Sequence, residues 1–128
     1  MFERLLASTL TELRELQANV IIVASVPEVG RNVPVTLARA AASGIPSDLE
    51  LESGEFFQRQ SRTLELLKRM AAEYSAKIVY PHETLCGPSN CLLVTESHPV
   101  YVDEHHLSLH GAMLLLPLFD HLLDRDLK

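Results

Sequence analysis

The chain has 128 residues, 47% of them hydrophobic, with a formal net charge of −6. That apolar content in one domain's worth of chain excludes wholesale disorder, and the acidic balance with scattered Lys and Arg excludes a nucleic-acid phosphate partner. No apolar run approaches the roughly 18 residues of a membrane span: Leu114-Leu115-Leu116 runs straight into Pro117. Met1 opens an amphipathic pattern with Glu3 and Arg4, neither a signal peptide nor an anchor.

Phe2, Leu5, Leu6, Leu10, Leu13 and Leu16 recur mostly at three- and four-residue intervals, which predicts an amphipathic helix stopped by Asn19. Val20 to Ala24 is a β-branched apolar run without alternation, the pattern of a strand buried on both faces in a parallel sheet. Pro27, Gly30 and Pro34 make an irregular loop, and Val35 to Ser43 reads as a helix closed by Gly44. After a loop from Ile45 to Gly54, a helix is expected over Glu55 to Tyr74, with Phe57, Leu64, Leu67 and Ala71 on one side. Ala76 to Tyr80 is a second short strand ended by Pro81.

Cys86 and Cys91 enclose Gly87-Pro88-Ser89-Asn90 and are expected to pair where the compartment is oxidising; two reduced structural thiols are the alternative. Leu92-Leu93-Val94 and Val100-Tyr101-Val102 flank residues 95–99 as a small hairpin. The last helix runs from about Leu109 to Leu123, with Met113, Leu114, Leu116, Leu118 and Leu122 as core positions. Strands alternating with helices argue an α/β fold with a parallel sheet, although two central strands are few for an open sheet.

Chemistry concentrates at Asp103 and His106. A carboxylate bonded to one imidazole nitrogen fixes the tautomer, so that the far nitrogen can take a proton from a nucleophile. The plainer reading makes both loop residues, with Asp103 a cap. Ser108 reads as the N-cap of the last helix rather than as a nucleophile, and Gly111 and Ala112 remove bulk from its first turn. A metal site is the chemical rival: His105, His106 and His110 with Asp103 and Glu104 are dense in ligands, and a helical register would set His106 and His110 one turn apart. No general-base Glu lies between those two, and His82, His98 and His121 read as surface residues. Glu28 and Arg31 are either contacts for a sugar or acyl donor or solvated loop residues.

The pattern Tyr101-x-Asp103-x-x-His106-Leu107-Ser108-x-x-Gly111-Ala112 resembles the last signature block of the SGNH hydrolase superfamily. More narrowly, it resembles the SGNH domain fused to membrane acyltransferases of the acyltransferase-3 family, which O-acetylate surface polysaccharides. Val20 to Gly30 with Val33-Pro34 is similar to that family's strand and Pro-Glu-x-Gly loop, Cys86 to Cys91 to its short cysteine loop, and Leu92 to Tyr101 to the hairpin before the block. The resemblance implies a three-layer, flavodoxin-like α/β fold, with Asp103 orienting His106 and His106 acting as general base.

The family's nucleophile sits in a Gly-Asp-Ser block on the first strand, and neither that block nor its oxyanion donors can be matched here. Ser8, Ser25, Ser43 and Ser47 lack that context, and Ser25 falls where the family carries no nucleophile. Residues 1–128 are therefore expected to be the C-terminal part of one SGNH domain, without significant esterase activity alone. The intact protein would pass an acyl group, acetyl being the expected one, through a serine ester to or from a cell-surface carbohydrate. Its partners would be an acyl donor, a carbohydrate acceptor, and the missing N-terminal half or a membrane acyltransferase domain, on the periplasmic or cell-surface side. That mechanism requires no metal or organic cofactor. The alternative from another class is a non-catalytic half-domain whose unpaired sheet edge seeks a partner.

Overall fold

A computed structural model describes residues 1–126, the side chains of 121 and 123–126 excepted. The elements in chain order are α1 (Phe2–Glu15), β1 (Ile21–Val23), α2 (Val33–Ser43), α3 (Ser53–Glu73), β2 (Lys77–Val79), α4 (His82–Leu85), β3 (Val94–Thr95), β4 (His98–Pro99), α5 (Leu109–Leu114) and α6 (Leu116–Asp126). They fall into two compact units, one of Met1–Ala24 with Arg59–Val79, the other of Ser25–Gln58 with Tyr80 onward.

In the first unit, β1 and β2 pair in parallel with Ile22 opposite Ile78, and the ladder is extended by Lys77 N–H to the Val20 carbonyl and Ala24 N–H to the Val79 carbonyl, both 2.9 Å. Each strand follows a helix that ends in the same way. Gln17 and Ser75 take left-handed backbone (φ 57° and 56°). The next residue's N–H, of Ala18 or Ala76, then reaches back to the Leu13 or Ala71 carbonyl. These are Schellman stops built without glycine. An Arg69–Glu3 ion pair at 2.8 Å and Arg14 over the Tyr74 ring at 5.1 Å join α1 to α3. One expectation is corrected: β1 is not buried on both faces, and Val23 is 50% exposed. Among the described residues β1 pairs with β2 alone, and two short strands leave much of each other's surface uncovered.

In the second unit, α2 begins at Val33, two residues earlier than its Ala-rich stretch suggests. Asn32 Oδ1 accepts from Val35 N–H, Pro34 occupies the first turn, and Gly44 closes the helix at φ 69°. Cys86 and Cys91 are disulfide-bonded. Their loop is held against the start of α3, where the buried Ser53 donates its hydroxyl to the Gly87 carbonyl (2.7 Å) and its N–H to the Ser89 carbonyl (2.8 Å). The hairpin is tighter than expected: its strands are Val94–Thr95 and His98–Pro99, joined through Glu96 and Ser97, both at positive φ. That is the two-residue turn whose twist matches a hairpin.

Two readings of apolar periodicity need correction. Phe56, not Phe57, is the buried aromatic of α3, a phase error of one residue. The last helix is two, α5 and α6, interrupted at Leu115 because Pro117 has no N–H to offer the preceding turn. That break turns Met113 and Leu116 to the surface and buries Leu115 instead, with Leu114, Leu118 and Leu122 half-buried. The side chain of His121 lies outside the described residues.

Candidate active site

The turn carrying the acid and the histidine is closed by its own backbone. Val102 N–H donates to the His106 carbonyl at 2.9 Å, Tyr101 and Leu107 form a bridge, and Ser108 N–H donates to the Val100 carbonyl at 2.9 Å. Inside it, Asp103 Oδ1 accepts from the backbone N–H groups of His105 (2.8 Å) and His106 (2.7 Å). This is an Asx turn that fixes the carboxylate. Its other oxygen, Oδ2, lies 2.7 Å from His106 Nδ1. The two readings of Asp103, turn residue and histidine partner, are both realised, one on each oxygen.

The His105 N–H first, then the His106 side chain and the His106 N–H, hold the Asp103 carboxyl well below the usual carboxylate range. An ionised acceptor at Nδ1 keeps the proton on that nitrogen, so Nε2 presents its lone pair. Nε2 makes no hydrogen bond among the described residues, and the His106 side chain is 67% exposed. The carboxylate thus holds the imidazole in one tautomer, with its far nitrogen open to solvent.

The turn is braced from behind by the loop at residues 27–33. Tyr101 Oη donates to the Pro27 carbonyl (2.9 Å), Val29 N–H to the Glu104 carbonyl (2.8 Å) and Val33 N–H to the Asp103 carbonyl (3.2 Å). From the other side, Ser108 caps α5 by accepting from Gly111 N–H (3.0 Å) while donating to the Pro99 carbonyl (2.7 Å). Gly111 is buried, and a Cβ there would collide with the Val100 carbonyl. Ala112 is exposed, so only Gly111 is required to be small for close approach.

His106 and His110 do not share a helical turn. His106 precedes α5, whereas the His110 ring bonds through Nε2 to Thr95 Oγ1 and lies beside the exposed His98, centroids 5.2 Å apart. Among the described residues, those whose ligand atoms gather within 4.8 Å of one another are Asp103, His105 and His106. Arg31 is held by Asp48, its Nη1 3.1 Å from Oδ1 and its Nη2 3.1 Å from the carbonyl. Glu28 instead lines an open cleft with Gly30, Glu104 and His105. Ser25 is exposed, and no serine of the described residues is hydrogen-bonded to His106.

His82 is half-buried rather than an exposed surface residue. It packs among Phe56, Phe57 and Tyr80 at centroid distances of 5.1–5.4 Å, its Nδ1 is buried without a hydrogen-bond partner, and burial lowers its pKa. The flanking aromatic Tyr80 was a local hint, but Phe56 and Phe57 arrive from a distant helix.

The family model described as SGNH domain (fused to AT3 domains) matches residues 1–121. Among solved structures the chain is similar to the periplasmic domain of a lipopolysaccharide acetyltransferase from Salmonella ser. Paratyphi A, at 19% identity and a TM-score of 0.61. That alignment covers 96% of this chain and 48% of the other, so the chain spans about half the length of the solved domain it matches. At this identity the likeness speaks for the fold, the SGNH-like α/β arrangement with few short parallel strands. No curated protein sequence matches the chain. With all but its last few residues matched to one family, the chain belongs to the SGNH domains of the kind fused to AT3 domains.

Proposed function

We propose that Asp103 and His106 form the acid–base half of an acyl-transfer site that moves an acyl group, acetyl in the first instance, to or from a carbohydrate hydroxyl. The single observation that carries this is the 2.7 Å contact between His106 Nδ1 and Asp103 Oδ2, with Nε2 left open to solvent. Family membership supports acyl transfer, and the similar periplasmic acetyltransferase domain supports a carbohydrate acceptor on the periplasmic side. No helix among the described residues is long and apolar enough to cross a membrane; an AT3 membrane domain is the partner this reading assigns.

In this reading the serine nucleophile belongs to the part of the domain that the chain does not span. As its Oγ bonds to the acyl carbon, its proton passes to His106 Nε2 and then to the donor's leaving atom as the acyl bond breaks. An acceptor hydroxyl next bonds to the acyl carbon and gives its proton to Nε2, which returns it to the departing serine oxygen. Asp103 stays ionised and stabilises the imidazolium formed at each stage. Water in place of the sugar hydroxyl gives hydrolysis.

The test uses a whole SGNH–AT3 protein carrying this domain, with ester acetate on the cell-surface glycan followed by NMR. His106→Ala is expected to lower the transfer rate roughly 10⁶-fold, the scale at which a triad fails without its base. Transfer at the parent rate would sink the reading.

A further inference from the structure

We infer that Asp103, His105 and His106 bind a nitrogen-seeking divalent ion of the zinc class, and that the bound ion switches His106 off as a base. The site itself is independent of the acyl-transfer reading; the switching rests on that reading and adds a regulation to it.

The turn gathers the ligand set. One carboxylate oxygen or ring nitrogen from each of the three side chains lies within 4.8 Å of the other two. His106 Nδ1 is 2.7 Å from Asp103 Oδ2, and His105 Nδ1 is 3.9 Å from Asp103 Oδ1. Zinc–ligand bonds of about 2.0–2.1 Å set two tetrahedral ligands roughly 3.3 Å apart, between those two separations. The carboxylate is fixed in advance, because two backbone N–H groups hold Oδ1 and leave Oδ2 for the ion. The imidazoles supply the adjustment, since both side chains are solvent-exposed, His105 to 46% and His106 to 67%. Glu104 Oε1, 3.7 Å from His105 Nδ1, stands within reach as a fourth ligand, and water fills that position otherwise.

The donor set selects the ion. Two imidazole nitrogens with a carboxylate suit zinc, whereas magnesium and calcium take oxygen ligands. The consequence follows from the protons on one ring. A neutral imidazole carries a single proton on its two nitrogens. Without the ion that proton is on Nδ1, facing Asp103 Oδ2, and Nε2 has the lone pair. An ion on Nδ1 takes that nitrogen's electron pair, so the proton passes through solvent to Nε2. The nitrogen that receives a proton from the nucleophile then already carries one, and Asp103 is bound to the ion instead of the ring.

The experiment titrates the untagged ¹⁵N-labelled chain with zinc chloride and, separately, with magnesium chloride. Zinc is expected to saturate at one equivalent and to shift the amides of residues 103–106. It is also expected to move the His106 ring proton from Nδ1 to Nε2 in long-range ¹H–¹⁵N spectra, and magnesium to do none of this. His105→Ala keeps the N–H that holds Asp103 Oδ1. It is expected to weaken zinc binding roughly ten-fold or more, since loss of even an outer-shell partner costs about 10–100-fold. His105→Gln repeats the test should the first variant lose its dispersed spectrum. No saturable zinc shift, shifts confined to His98 and His110, a His106 proton that stays on Nδ1, or parent affinity in the His105 variants overturns the site. In a whole SGNH–AT3 protein carrying this domain, zinc is expected to lower transfer and a chelator to restore it, with the midpoint at higher zinc in His105→Ala. Transfer that is lost in His106→Ala yet ignores saturating zinc overturns the switch. Transfer lost in His106→Ala with no zinc bound at the turn overturns the site and leaves acyl transfer standing. Zinc bound at the turn with transfer indifferent to His106→Ala supports the site and removes the acyl-transfer reading.

Discussion

Tyr101 and Pro27, 74 residues apart, are joined by a buried hydrogen bond of 2.9 Å from the phenol to the proline carbonyl. Tyr101 has no exposed surface, and burial pushes its pKa up to about 12. With the bonds from Val29 and Val33 to Glu104 and Asp103, it makes the loop at 27–33 a backing plate for the turn of Asp103 and His106. The orientation of His106 is therefore set twice, locally by Asp103 and at a distance by this brace.

Removing the phenol oxygen tests the brace. Tyr101→Phe is expected to lower stability by about 1–3 kcal/mol, since it leaves the Pro27 carbonyl without this donor. Its effect has a pH signature. A folded pKa raised above the unfolded value of about 10 contributes stability that is complete below pH 10 and is lost as pH climbs toward 12. Urea midpoints in that window are expected to fall steeply for the parent chain and less steeply for Tyr101→Phe; parallel slopes would count against a buried phenol.

Gly111→Ala separates packing from helix propensity. In an open helix the change stabilises by up to about 1 kcal/mol. Here the new Cβ meets the Val100 carbonyl, a backbone atom that cannot rotate aside, so a loss of about 1–3 kcal/mol is expected. Thermal melts give the sign, and an increase in Tm would mean that α5 does not sit on Val100.

Asp103→Asn keeps an oxygen for the His105 and His106 N–H groups but offers an N–H where Oδ2 faced His106 Nδ1. The imidazole is expected to move its proton to Nε2, which long-range ¹H–¹⁵N spectra resolve directly. A parent-like tautomer in the variant would show that Asp103 does not orient the ring. The same carboxyl titrates well below its usual range, so its contribution to the turn is complete above about pH 4 and declines as pH falls further.

His82 is expected to make the fold sensitive to mild acid. Burial lowers its pKa, against a smaller opposing effect of Glu83. A depressed folded pKa means stability complete above about pH 6.5 and lost as pH falls through the folded value, because the unfolded chain takes the proton first. Denaturant midpoints at pH 7.5 and 5 are expected to differ in the parent and to converge in His82→Phe, which also removes the unpartnered Nδ1. An unchanged difference in the variant would assign the sensitivity elsewhere.

Local chemistry was legible in the residues themselves. Asp103 and His106 are three apart, within reach across one turn, so their bond needs no distant partner. Ser108 and Gly44 mark helix ends by the same short-range logic, and Cys86 and Cys91 close a loop short enough to read directly. That the two short strands pair in parallel was expected from apolar runs separated by helices, whereas their register, Ile22 opposite Ile78, came only with the structure. Tertiary structure decided what depends on neighbours remote in the chain. It buried Phe56 rather than Phe57, surrounded His82 with aromatics from α3 and tied His110 to Thr95 instead of His106. It also hung the loop of Pro27 on Tyr101. Periodicity specifies which side of an element is apolar only to within a residue, while burial and hydrogen-bond partners are set by whichever distant backbone comes to lie against it.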